Sequence, residues 1–133
     1  MERLVLDSSV WIAIERRKLD FSDVIGTGMT LILPAMVAAE LKHAMKIKAR
    51  TPMQMQRSLN YLSKVEALTE FAPFDQLAVE KYVELSSFCQ SQGKPRSLPD
   101  LMIAATAVAQ GALLKSFDNK AKFEELPNVR VLF

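Results

Sequence analysis

The chain has 133 residues, 17 Lys or Arg against 15 Asp or Glu, and a formal net charge of +2, which suits one domain spanning residues 1–133 and names no partner. Half the residues are hydrophobic and 24% are charged, as in soluble globular proteins, and no apolar run approaches the roughly 20 residues that cross a bilayer. Arg3, Asp7 and the Ser8–Ser9 pair interrupt any signal-peptide core, and the single cysteine, Cys89, forbids an internal disulfide, so a reducing cytoplasm is the expected location.

Leu4, Val5 and Leu6 form an uninterrupted apolar run, the pattern of a strand buried on both faces of a parallel sheet. Asp7 follows at once. A carboxylate at the carboxyl end of such a strand sits where open α/β sheets bind ligands, though Asp7 or a serine also suits the cap of the next helix. That helix is predicted over residues 10–18, with Trp11, Ile12 and Ile14 as its apolar positions. Trp11 reads as core or subunit contact. The Gly26-Thr27-Gly28 turn is a weak phosphate-loop signal, since the Walker A and dinucleotide patterns are both missing.

A second strand is expected at residues 30–33, and Pro34 suits the first turn of a helix running to residue 47. Met36, Val37, Glu40, Leu41 and Ala44 share one face of it, which sets Glu40 within the apolar stripe. A carboxylate there must be paired, protonated or bound to a cation. Thr51 and Pro52 open another helix with Met55, Leu59, Leu62 and Val65 as its stripe. A short strand is expected around Phe71. Asp75 then caps a helix that ends near Gln92 with Gly93 as its stop, burying Ala78, Tyr82, Leu85 and Cys89.

After the basic loop Lys94-Pro95-Arg96-Ser97 comes a small-residue helix over residues 98–110, stopped by Gly111. Its Ala104, Ala105 and Ala107 predict close packing against the sheet. Ser97 and Asp100 have capping-box spacing, which competes with a chemical role for Asp100. Strands at residues 112–115 and 129–132 complete the pattern, and Asp118 leaves the carboxyl end of the first of these. Strands and helices alternate, which predicts an α/β domain with a mostly parallel sheet.

Asp7, Glu40, Asp100 and Asp118 could thus meet at one end of the sheet. Alone, such acids repel one another and take up protons; Mg²⁺ or Mn²⁺ with an all-oxygen shell removes that cost. Zinc is disfavoured by one histidine and one cysteine. His43 is the only imidazole, so no Ser–His–Asp set is credible, and it reads as a neighbour of Glu40. Charge is also unevenly spread. Residues 41–65 hold no acid but carry Lys42, Lys46, Lys48, Arg50, Arg57 and Lys64, either a phosphate-attracting stretch or the solvated face of two helices.

In that order, DSS at Asp7, AAEL at Glu40, PDLMIAATA at Asp100 and LLKSFDNKA at Asp118, with the closing LPNVRVLF, resemble PIN-domain ribonucleases, most of all single-domain toxins of the VapC type. The resemblance implies a three-layer α/β fold, a five-stranded mostly parallel sheet flanked by helices, and metal-dependent endonucleolytic cleavage of RNA with Mg²⁺ or Mn²⁺. Asp7, Glu40, Asp100 and Asp118 would be the metal-binding, catalytic acids; Ser9 and Ser116 would orient water or carboxylates. Lys42, Lys46, Arg50, Lys94 and Arg96 would guide RNA. A cognate antitoxin and a homodimer are implied too, with exposed methionines such as Met53 for either contact. The family often carries a further acid two places after its last one, where Lys120 stands, which leaves a second metal site open. Two other readings stand beside this one. A phosphotransfer or phosphatase domain would want an acid where Ser9 stands, and a non-catalytic RNA- or protein-binding PIN module would have a degenerate metal site.

Overall fold

The apolar run at Leu4, Val5 and Leu6 leaves no side of the strand for solvent, and the chain places it in the middle of a sheet. In the computed structural model, which describes residues 2–25 and 28–133, β1 (Arg3–Leu6) pairs in parallel with β2 (Thr30–Pro34) on one side and β4 (Leu113–Lys115) on the other. β3 (Glu70–Ala72) extends the sheet beyond β2, and β5 (Arg130–Val131) beyond β4. The order is β3-β2-β1-β4-β5, and every pairing is parallel. Residues 26–27 of the predicted glycine turn lie outside the described residues.

Six α-helices are present among the described residues: α1 (Ser8–Glu15), α2 (Phe21–Ile25), α3 (Ala35–Lys48), α4 (Pro52–Leu68), α5 (Gln76–Ser91) and α6 (Leu98–Ala109). The chain winds outward from β1 to β2 and β3; α5 and α6 then carry it back to β4 on the far side of β1. β1 and β4 are therefore neighbours whose outgoing connections diverge, the topological switch point at which open α/β sheets hold ligands.

Caps read from the sequence form. Thr51 accepts from the Gln54 amide, Asp75 from Ala78 and Ser97 from Asp100. Gly93 and Gly111 end α5 and α6 with φ of +65° and +62°, the left-handed region where glycine carries no Cβ penalty. Leu4, Val5, Leu6, Ile32 and Leu114 are all but fully buried with Trp11, Val37, Leu41 and Ile103. Each such side chain contributes on the order of 1.5–3 kcal/mol. Trp11 is thus core, its ring 6.2 Å from that of Phe21. Cys89 is buried in the α5 seam as expected.

Several expectations shift. α1 starts two residues early, at Ser8, because Asp7 itself is its cap. Pro34 does not open α3 but ends β2 in extended geometry and stands at the α3 cap, so strand and helix join without a loop. The predicted stripe of α4 is only partly covered: Val65 is buried, Met55 and Leu62 are half-buried, and Leu59 is 49% exposed. α6, whose Ala104, Ala105 and Ala107 are buried, packs chiefly against α5, with α3, β4 and β2 as lesser neighbours. α2 and a 3₁₀ turn at Phe123–Glu125 were not expected; both are too short to imprint a period.

Candidate active site

Asp7 stands where β1 stops and α1 begins. Its backbone N–H still pairs across the sheet, donating to the Lys115 carbonyl at 3.1 Å, while its carboxylate accepts from the Val10 amide at 3.3 Å. The residue is only 5% exposed. Cap and site are therefore the same group: one oxygen end-stops the helix, and the carboxylate as a whole is held at the switch point.

Two serines fix it. Ser9 Oγ donates to Asp7 Oδ1, and Ser116 Oγ donates to Asp7 Oδ2. Each hydroxyl also accepts a backbone N–H, from Phe117 to Ser9 at 2.9 Å and from Asp118 to Ser116 at 2.9 Å. A hydroxyl has one proton, and with backbone donors approaching each oxygen, that proton is directed at Asp7. Burial pushes the Asp7 carboxyl above its ordinary range, and the hydrogen bonds from Ser116, Ser9 and the Val10 and Ser9 amides pull against it.

Glu40 projects from the second turn of α3 and is half-buried. Ser8 Oγ donates to its Oε1 at 3.2 Å. Burial raises its pKa first; the Ser8 hydrogen bond opposes that, and the charges of Asp100, Asp7 and Asp118 raise it further. Asp100, Asp7 and Asp118 are thus near enough to act on Glu40 electrostatically. Ser8 was not among the residues singled out from the sequence. The signal was present in the doubled serine of DSS, but only Ser9 matched a family position. His43 is exposed, and Glu40 takes its hydrogen bond from Ser8.

Asp100 is the third residue of α6, half-buried, its amide capped by Ser97 at 3.3 Å. Asp118 is exposed and turned into its own loop, where Oδ1 accepts from the Lys120 amide at 2.9 Å. Among the described residues, no three acids, histidines or cysteines are drawn tightly enough together to form a finished metal site. The donor set nonetheless suits a hard cation. All four side chains are carboxylates, and Mg²⁺ takes one or two of these directly and keeps several waters.

The basic residues divide. Lys46, Arg50 and Lys94 are exposed, and Lys42 pairs with Glu66 at 3.3 Å on the surface of α3 and α4. Arg96 has a different job from the RNA contact expected of it. Its side chain is 10% exposed, and the guanidinium donates to the Ala121 carbonyl at 2.8 Å, the Lys94 carbonyl at 2.8 Å and Glu125 at 2.7 Å. It fastens the segment leading into α6, which bears Asp100, to the segment after β4, which bears Asp118. Ala121 and Glu125 lie 25 and 29 residues away in sequence, so no local pattern announces the clasp.

A family model of the PIN domain matches residues 4–128. The chain belongs to the PIN domain family. Its fold is shared with solved structures of VapBC2 from Rickettsia felis bound to a promoter DNA fragment, at TM-score 0.84 and 19% identity, covering 98% of this chain and 97% of that one. It is shared likewise with VapBC-5 of Mycobacterium tuberculosis, from the VapBC family of toxin–antitoxin systems, at 0.75 and 23%, covering 99% and 98%. VapC20 of the same organism, a toxin that cleaves the sarcin–ricin loop, aligns at 0.62 and 12%, covering 96% and 98%. No match was found among curated protein sequences. The five-stranded parallel sheet expected from the sequence is present, and no helix of the described residues is long and apolar enough to cross a membrane.

Proposed function

We propose that the chain is an endoribonuclease dependent on Mg²⁺ or Mn²⁺, working in the cytoplasm as the toxin of a toxin–antitoxin pair. One observation carries the reading: in a PIN fold, Asp7 is buried at the switch point with both oxygens held by serines, and the adjacent Ser8 holds Glu40. A divalent ion bound there would activate water and offset the charge of a phosphoryl group under attack.

Asp7 and Asp100 would hold that ion, with Glu40 supporting it or its water and Asp118 completing the set. The rest falls to the chain's own residues. Ser9 and Ser116 keep the Asp7 carboxylate in one orientation, and Ser8 keeps Glu40 in reach. Arg96 keeps the Asp100 and Asp118 segments in register. Exposed Lys46, Arg50 and Lys94 raise the local concentration of a polyanion without reading its sequence. The likeness to VapBC structures supports an antitoxin as partner, and a second copy of the chain belongs to the same reading. Met53, 67% exposed on α4, is available to either contact.

The test is cleavage of RNA by the purified protein with Mg²⁺ or Mn²⁺, run beside EDTA, Asp7→Asn and Asp100→Asn. Loss of cleavage in all three controls is the expected result. Cleavage that persists in EDTA or in a folded Asp7→Asn protein would overturn the mechanism.

A further inference from the structure

We propose that Phe117, with Lys115 and Phe133 beside it, is a stacking platform for one unpaired base of a single-stranded RNA, set immediately next to the acids. The platform rests on the ribonuclease reading and adds to it where the strand lies. Phe117 is 48% exposed although it sits between two residues of the site, Ser116 and Asp118. Single exposed apolar residues are common and need no explanation by themselves. This one is held in place: its amide donates to the same Ser9 hydroxyl that bonds Asp7. The backbone that carries the ring is therefore tied to the buried carboxylate by two consecutive hydrogen bonds.

Its surroundings match a nucleotide. Lys115 Nζ stands over the ring, 5.7 Å from the centroid, and donates to the Phe133 carbonyl at 3.2 Å. Phe133 is 90% exposed, and with Phe117, Asp118, Asn119 and Phe123 it lines a groove of about 270 Å³. An aromatic face offers stacking to any base, and an ammonium beside it suits the adjoining phosphate. Four acids repel a phosphate chain, so a cation and a π-face beside them supply attraction where the strand must approach. Val131, Leu132 and Glu124 also line the groove; the lysine and the carboxylate that flank the ring itself favour a nucleotide over a purely apolar protein contact.

The test uses the full chain in the Asp7→Asn background, where cleavage does not compete, and a short fluorescein-labelled oligoribonucleotide of mixed sequence followed by anisotropy. Phe117→Ala is expected to weaken binding about tenfold or more, the range found for stacking aromatics. Phe117→Tyr should restore it and Phe117→Leu should not. A second readout is direct. Phe117→Trp adds an indole at the surface, whereas Trp11 is fully buried, and unlabelled RNA should quench the new emission. Equal binding by Phe117→Ala, full restoration by Phe117→Leu, or a Phe117→Trp protein whose added emission RNA leaves unquenched overturns the platform and leaves the ribonuclease reading standing. A parent protein that binds no RNA also overturns the platform, whereas the ribonuclease reading stands or falls on cleavage by the wild type.

Discussion

Asp7 and Asp118 are the same residue type at the ends of adjacent parallel strands, yet the fold treats them oppositely. Asp7 is buried, and serines hold both of its oxygens. Asp118 is exposed and uses one oxygen to close its own turn. The first is fixed before any ligand arrives, at the cost of an unfavourable desolvated charge. The second is solvated and free to adjust. A rigid anchor with a compliant rim is how a set of acids can receive a hydrated ion and a flexible strand without rebuilding the core.

The largest expected effect tests that difference directly. Asp7→Asn should drop RNA cleavage to background, while Asp118→Asn should retain a measurable residue of activity; equal losses would erase the distinction. Ser116→Ala, which frees one Asp7 oxygen, should lower cleavage or metal affinity by about 10–100-fold, the usual effect of removing a ligand's supporting hydrogen bond. Ser116→Thr keeps the hydroxyl and should restore most of it.

Arg96→Ala attacks the clasp between the two halves of the rim. It leaves the Ala121 carbonyl and Glu125 without their donor, so a stability loss of about 2–4 kcal/mol is expected, read as a fall of roughly 10 °C in Tm. Arg96→Lys should recover little, since an ammonium cannot bridge three acceptors in one plane. An unchanged Tm would show that the clasp is ornamental.

A smaller effect follows from protonation. Asp7 and Glu40 both have raised carboxyl pKa values, so the folded, metal-free protein holds these protons more tightly than the unfolded chain. Their contribution to stability is present below the ordinary values of 3.8 and 4.5 and is lost as pH rises through the raised ones. Lowering the pH from neutral toward that range should therefore raise the Tm of metal-free wild type relative to Asp7→Asn. The gap between the two should narrow when Mg²⁺ is added at neutral pH. The smallest effect belongs to Lys42→Ala. Its pair with Glu66 is exposed on both sides, so stability should change by no more than about 0.5 kcal/mol.

What could be read in advance was local or periodic. The apolar run at Leu4–Leu6, the caps at Thr51, Asp75 and Ser97 and the glycine stops at Gly93 and Gly111 each have a short-range cause, and each formed. The cap expected at Asp7 formed, with the Val10 amide on the same carboxylate that the two serines hold. Relations between distant residues were not legible. Ser8 meets Glu40 across 32 positions, and Arg96 finds Ala121 and Glu125 only once α6 and β4 are packed. Leu59 misled for a related reason: periodicity marks which face of α4 is apolar, not whether anything covers it.

The strand order sets a schedule for synthesis. β1 emerges from the ribosome first, but its neighbour β4 and the hydroxyl of Ser116 come more than a hundred positions later. Chains grow from the N-terminus and long-range pairings form last. Until residue 116 is made and docked, Asp7 lacks one of its two serine partners, and until 118 is made the rim has no fourth acid. A nascent chain that ends before residue 116 therefore carries an unfinished site.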